Sequence, residues 1–197
     1  SRIALVKFAD DSFYTDWSGT ADIDKIGNDF QYFTGYNYTQ VVSDFTSDAS
    51  ALTGAVEGLE PAGATAADYG FTLANHVLQG TGDLDGARND VQKVVIFFTD
   101  GQPNHSNGFS DSVANAAIGT AATLKSNNTL VYSIGVFEGA NPSDTENNFN
   151  AYMHGVSSNY PNATSYTELG TRVEGSHYYL AASSSDELAN VFEQISE

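Results

Sequence analysis

The segment Phe97-Phe98-Thr99-Asp100-Gly101-Gln102-Pro103-Asn104 sets a carboxylate directly after a continuous apolar run. A second segment, Gly63-Ala64-Thr65, sets a hydroxyl at the mouth of a helical pattern. Carboxylate and hydroxyl oxygens are hard donors. A pair of them on adjacent loops suits Mg²⁺ or Mn²⁺, which take oxygen ligands and keep several waters. Gly101 offers a turn without a Cβ penalty. Each donor also has a plain structural role open to it: Asp100 as a turn residue or helix N-cap, Thr65 as the cap of the helix after it.

Other chemistries find less support. Asp83-Leu84-Asp85-Gly86 resembles a Ca²⁺ loop, but its Gly comes two positions early and the distal Glu is absent, so a solvated loop is expected. His76, His105, His154 and His177 form no His-x-x-x-His pair. His105 lies near the Asp100 segment, where a loop role is the simpler reading. There is no Gly-x-Ser-x-Gly elbow, no Walker motif and no Gly-x-Gly-x-x-Gly, so neither a hydrolase triad nor a nucleotide site is indicated. Cysteine is absent, which removes disulfides, thiolate metal sites and cysteine nucleophiles. Tyr14, Trp17, Phe30, Tyr32, Phe33, Tyr36 and Tyr38 crowd one polar stretch, either a compact loop packed on its own rings or a recognition surface.

Elements of a sheet must position the two oxygen donors. The chain has 197 residues, 41% of them hydrophobic, which suits one α/β domain, residues 1–197, with a sizeable core. Lys93 to Thr99 reads as a strand buried on both faces, the mark of a parallel sheet. Leu130 to Phe137 reads likewise. Ile3 to Phe8, Thr39 to Phe45 and His177 to Ala181 are further strands, and Asp10 to Tyr38 is a long loop or hairpin. Helices are expected from Ser47 or Asp48 through Leu59 (ended by Pro61), Ala66 to Leu78, Phe109 to Lys125, Glu146 to Val156, and Asp186 to Ile195. Ser184 or Ser185 caps the last, with Glu187 near its positive end. The alternation predicts an α/β fold, a doubly wound, mostly parallel central sheet flanked by helices. Ligands in such sheets bind at the carboxyl ends of strands, where Asp100 falls. With 7 Lys and Arg against 25 Asp and Glu, the net charge is −18. That charge opposes nucleic acid and anionic lipid and favours cations. The strongest apolar run, Val94 to Phe98, is too short to insert in a membrane.

Around Thr65 and Asp100 the chain resembles the von Willebrand factor A (VWA) domain. The resemblance implies a Rossmann-like sheet carrying a metal ion-dependent adhesion site. That site combines an Asp-x-Ser-x-Ser loop after the first strand, a Thr placed like Thr65, and an Asp after the fourth strand, matched by Asp100. The stretches Gly139 to Ser143, Met153 to Pro161 and Gly175 to Tyr179 are similar to the version in cell-wall-anchored surface proteins and pilus-tip adhesins of Gram-positive bacteria.

The family's first strand, its Asp-x-Ser-x-Ser loop and its first helix have no counterpart here. Arg2 to Phe8 aligns with the second strand. Two central strands without that neighbour would leave backbone groups unpaired, at about 1–3 kcal/mol each. The expectation is therefore a chain incomplete at its N-terminus, with the segment upstream in a parent protein, or a gap filled by another segment. Asp16-Trp17-Ser18-Gly19-Thr20 fits Asp-x-Ser-x-Thr but does not directly follow a strand, so a surface loop is the favoured reading. The resemblance implies a non-enzymatic adhesion module, extracellular on the bacterial surface. It would bind a host extracellular or cell-surface protein, or other pilus subunits, through Mg²⁺ (or Mn²⁺ or Ca²⁺) held by Thr65, Asp100 and the missing motif. The alternative is a structural spacer of a stalk or pilus with an unused or degenerate metal site.

Overall fold

The computed structural model describes residues 1–9, 39–61 and 63–196. The aromatic-rich stretch from Asp10 to Tyr38, with Asp16, Ser18 and Thr20, lies outside the described residues. The chain forms two compact units, Ser1–Val91 with Pro103–Val113, and Gln92–Gln102 with Ala114–Glu197.

In the first unit, β1 (Ile3–Lys7) pairs antiparallel with β2 (Gln40–Thr46), from Ile3 opposite Thr46 to Lys7 opposite Gln40. Helix α1 (Ala49–Glu57) follows, and Asp48 caps it by accepting the N–H of Ser50 and Ala51. It stops at Gly58, before Pro61, so the proline is not what ends it. Helix α2 (Ala67–Gln79) buries Leu73 and Val77, which join Val41 of β2 and Leu84 in a core. Gly70 lies against Phe8: a Cβ there would sit 2.9 Å from the Phe8 side chain. The end of α2 turns through Gly80 in the left-handed region (φ 68°). Arg2 ties the turn after it to β1, donating to the Gly86 carbonyl (3.1 Å), approaching Asp85 (3.5 Å) and lying over the Phe45 ring.

In the second unit, β3 (Lys93–Thr99), β4 (Thr129–Gly135) and β5 (Tyr179–Ala181) form a parallel sheet in that order. β3 is made of β-branched and aromatic residues, which fit a pleated surface. Helix α3 (Asp111–Ser126) begins in the first unit and continues here, burying Ala114, Ala117, Ile118, Ala121 and Leu124. Helix α4 (Asn148–Val156) is capped by Asn147, and its described residues from Phe149 onward are all buried. Helix α5 (Ser185–Ser196) starts in a reciprocal cap. The Ser184 Oγ accepts the Glu187 N–H, and the Glu187 carboxylate accepts the N–H and hydroxyl of Ser183.

Register shows which face each helix covers, since paired residues of a parallel sheet point the same way. Ser133 and Tyr179 are paired and meet α4, through Ser133 Oγ to the Met153 carbonyl and Tyr179 Oη to Asn150. Ile134 and Leu180 are paired on the other face and pack under Leu188, Val191 and Ile195 of α5. The fold is thus α/β, with a parallel three-stranded sheet flanked by helices. One expectation is corrected. β3 is buried on one face only: Phe97 and Thr99 are covered, while Val94, Ile96 and Phe98 are each more than 40% exposed. Its continuous apolar run concealed this, because α5 packs on β4 and β5 and leaves the same face of β3 bare.

Candidate functional site

Thr65 stands in the turn before α2, where Gly63 takes a positive φ of 66°. The helix N-cap is Ala66, and no side chain caps the helix. The capping role open to Thr65 is therefore not the one it plays. Its carbonyl accepts two N–H groups, from Ala67 and from Asn104, both at 2.9 Å. Its hydroxyl makes no hydrogen bond among the described residues. The Asn104 bond fastens the Thr65 turn to the loop that carries His105. His105 Nε2 sits 2.9 Å from the Asp68 carboxylate, and its ring lies 4.5 Å from the Tyr69 ring. Asp68 was not singled out in the sequence. The available signal was an acid in the first helical turn, three residues after Thr65.

Asp100 follows β3 in the second unit, with its side chain exposed. The turn is set by Thr99, whose buried hydroxyl donates to the Gly101 carbonyl (3.1 Å) and accepts the Gly101 N–H (3.3 Å). Gly101 is not among the positive-φ glycines, so its conformational freedom is not what makes the bend. The Asp100 carboxylate has no partner among the described residues. It neither closes the turn nor caps α3, which starts at Asp111.

The stretches Gly139 to Ser143, Met153 to Pro161 and Gly175 to Tyr179 come together in the second unit as a buried polar network. Asn150 uses its whole amide. Its Oδ1 accepts the Asn141 N–H (2.9 Å) and the Tyr179 hydroxyl (2.7 Å), and its Nδ2 donates to the Gly139 carbonyl (3.1 Å) and to Asp144 (3.3 Å). Asn159 Oδ1 accepts the Tyr178 N–H, and Asn159 Nδ2 donates to His154 Nδ1. The His154 Nε2–H then donates to the Pro142 carbonyl. Burial pushes the Tyr179 phenol pKa upward, so it stays a donor. Lys125 Nζ donates to the carbonyls of Gly155, Ser157 and Tyr160, and burial lowers its pKa to about 8. These groups are saturated by one another. They hold loops in place and present nothing to a ligand.

The fit of a divalent cation therefore rests on the donor set. Thr65 and Asp100 supply two hard oxygens without a partner among the described residues, the right chemistry for Mg²⁺ or Mn²⁺. No group of three or more His, Cys, Asp or Glu side chains is placed to hold a metal among the described residues. No helix among them is long and apolar enough to cross a membrane.

Residues 1–194 match the family model of the von Willebrand factor type A domain. No curated protein matches the chain in sequence. Among solved structures, proximal thread matrix protein 1 from the mussel byssus is similar over 98% of this chain, with TM-score 0.53 and 20% identity. The match covers 34% of that chain, so this chain spans about a third of its length. The VWA domain of SpRpn10 is similar over 80% of this chain and 66% of its own, with TM-score 0.48 and 17% identity. Manganese-loaded TRAP of Plasmodium vivax is similar over 97% and 76%, also with TM-score 0.48 and 17% identity. At 20% identity the likeness to the mussel protein is one of fold. VWA domains mediate protein interactions or serve as structural modules, and are generally not enzymes. By the match along nearly its whole length, this chain belongs to the von Willebrand factor type A domain family.

Proposed function

We propose that the chain is an extracellular adhesion module of a Gram-positive surface protein or pilus tip. It binds a host or partner protein through a divalent cation that takes Thr65 and Asp100 as ligands. The observation that carries the reading is that both side chains are left without structural work. The Thr65 hydroxyl neither caps α2 nor bonds elsewhere among the described residues, and the Asp100 carboxylate is exposed and unpartnered. The net charge of −18 favours cation capture. When bound, the cation supplies an open coordination position for a partner's carboxylate. Thr65 and Asp100 hold and orient it, with further oxygens coming from outside this pair.

The test is calorimetric titration of Mg²⁺ and Mn²⁺ into the chain, a version extended upstream, and the Asp100→Ala and Thr65→Ala variants. Adhesion is measured in parallel with and without EDTA. Asp100 is exposed and bonds nothing among the described residues, so its loss should change stability by no more than about 0.5 kcal/mol. Cation-dependent adhesion should vanish. Unchanged adhesion in the folded Asp100→Ala variant would refute the role. A second reading, a structural spacer with an unused metal site, is favoured by the lack of a three-residue metal-binding group among the described residues. Binding that ignores EDTA, or no binding in any form, would select it.

A further inference from the structure

A depression of about 360 Å³ opens in the second unit, where β4, the loop entering β5, and the end of α5 converge. Its volume falls at the lower end of the range of small-ligand sites, roughly 300–1,000 Å³. Tyr132 of β4 and Tyr178 beside β5 form an aromatic corner, with ring centroids 5.0 Å apart and planes at 68°. Glu174, Ser176, His177 and Gln194 complete the polar lining. Register separates this depression from the Asp100 rim. Tyr132 pairs with Ile96, three residues before the Thr99–Gly135 pair that ends the β3–β4 ladder. At about 3.3 Å per residue, that is about 10 Å along the sheet.

The lining side chains are not used by the fold. Neither tyrosine hydroxyl, nor the side chains of Glu174, His177 and Gln194, makes a hydrogen bond among the described residues. The Oγ of buried Ser176 has no partner among them either. This contrasts with the saturated network around Asn150 and His154 in the same unit. The charge is one-sided as well. Among the described residues, Glu174 is the only acidic or basic side chain in the lining apart from His177, and neither Lys nor Arg contributes. Arg172, the nearest guanidinium in sequence, is committed to the Ser176 carbonyl at 2.8 Å and does not line the depression.

Aromatic ring faces attract cations through their quadrupole, and a carboxylate beside them adds a full opposite charge. We propose that this depression binds an alkylammonium group, the side chain of a lysine on a partner protein. The tyrosine corner takes the charged head and its methylene stem, and Glu174 pairs with the nitrogen. A neutral ligand of the same shape gains the apolar contact alone. The site needs no metal and is independent of the Thr65–Asp100 reading.

The experiment follows backbone amide shifts of residues 173–178 in the full chain, with EDTA present. The probes are Nα-acetyl-lysinamide, its Nε-trimethyl form, and Nα-acetyl-norleucinamide as the neutral isostere. The lysine probes should move those amides with saturable, millimolar-range binding, and the norleucine probe should bind at least about tenfold more weakly. Glu174→Gln, at an exposed position, should weaken the lysine probes by about fivefold or more. Tyr132→Leu should do the same where circular dichroism shows it folded. Tighter binding of the trimethyl form than of lysine would assign the attraction mainly to the rings, and the reverse mainly to Glu174. No saturable shifts, equal binding of norleucine, or full affinity in Glu174→Gln with Tyr132→Leu folded and unaffected would each overturn the proposal.

Discussion

Acidification should loosen the second unit through one imidazole. His154 is fully buried in α4, with edge-on contacts to the Tyr160 and Tyr179 rings. Its Nε2 lies 2.9 Å from the Pro142 carbonyl, which only accepts, so Nε2 carries the proton. Its Nδ1 lies 3.1 Å from the Asn159 amide nitrogen, which only donates, so Nδ1 is bare. A second proton at Nδ1 would face that donor. Burial, and next the Arg172 guanidinium, hold the pKa down from 6.5 to about 4, against the opposing pull of the Pro142 carbonyl and Asp144. In the unfolded chain the imidazole protonates near 6.5, so between pH 6.5 and 4 the unfolded state binds more protons. The stability contribution is complete above 6.5 and is lost as pH falls toward 4. At 1.36 kcal/mol per pH unit, the interval from 6.5 to about 4 amounts to about 3 kcal/mol. The assay is urea unfolding followed by circular dichroism from pH 7 to 4, for the parent chain and for His154→Gln. Carboxylates that titrate in both proteins cancel in the difference. The parent should lose about 3 kcal/mol more than the variant over that interval. Parallel pH profiles, or a His154 ring proton titrating near 6.5 by NMR, would sink the argument.

Two further perturbations test local geometry. Lys125→Met removes an ammonium that serves three carbonyls at 2.8–3.1 Å and leaves those acceptors stranded. It should cost about 3 kcal/mol, read as a lower urea midpoint at unchanged slope. Gly80→Ala places a Cβ at φ 68°, 3.0 Å from the Gly86 Cα and 3.1 Å from the Leu84 carbonyl. It should destabilise the first unit by about 1–3 kcal/mol, and a variant as stable as the parent would contradict the close approach of those backbones.

Local rules carried the element boundaries further than the burial. β3 and the Asp48 cap are legible because a β-branched run bounded by a polar turn, and an acid three residues before an apolar helical face, act within a few residues of themselves. The last helix is legible for the same reason, since Ser184 and Glu187 form its cap by sequence spacing alone. The expected start of α4 at Glu146 falls short because Asp144 intervenes. Its Oδ1 accepts the N–H of Glu146 and Asn147 and holds them in a turn, so the helix begins after Asn147. The bare face of β3 could not be read at all. Val94, Ile96 and Phe98 have the same composition as a doubly covered strand, and coverage depends on where α5 lies across the sheet.

The candidate site shows the same division between what a residue is and what occupies it. Type and position nominated Thr65 and Asp100, but each had a structural role available that sequence alone could not remove. The structure removes those roles, by the Ala66 N-cap and by the Thr99 hydroxyl that closes the turn in place of the Asp100 carboxylate. The opposite happened to the asparagines and His154. Their types invite a ligand, yet every polar atom of the Asn150 and His154 side chains is engaged within the chain. A polar side chain near a loop is informative only once its partners are known. A saturated one reports on the scaffold, and an idle one, such as Asp100 at the rim or Glu174 beside the tyrosine corner, is free to meet something from outside.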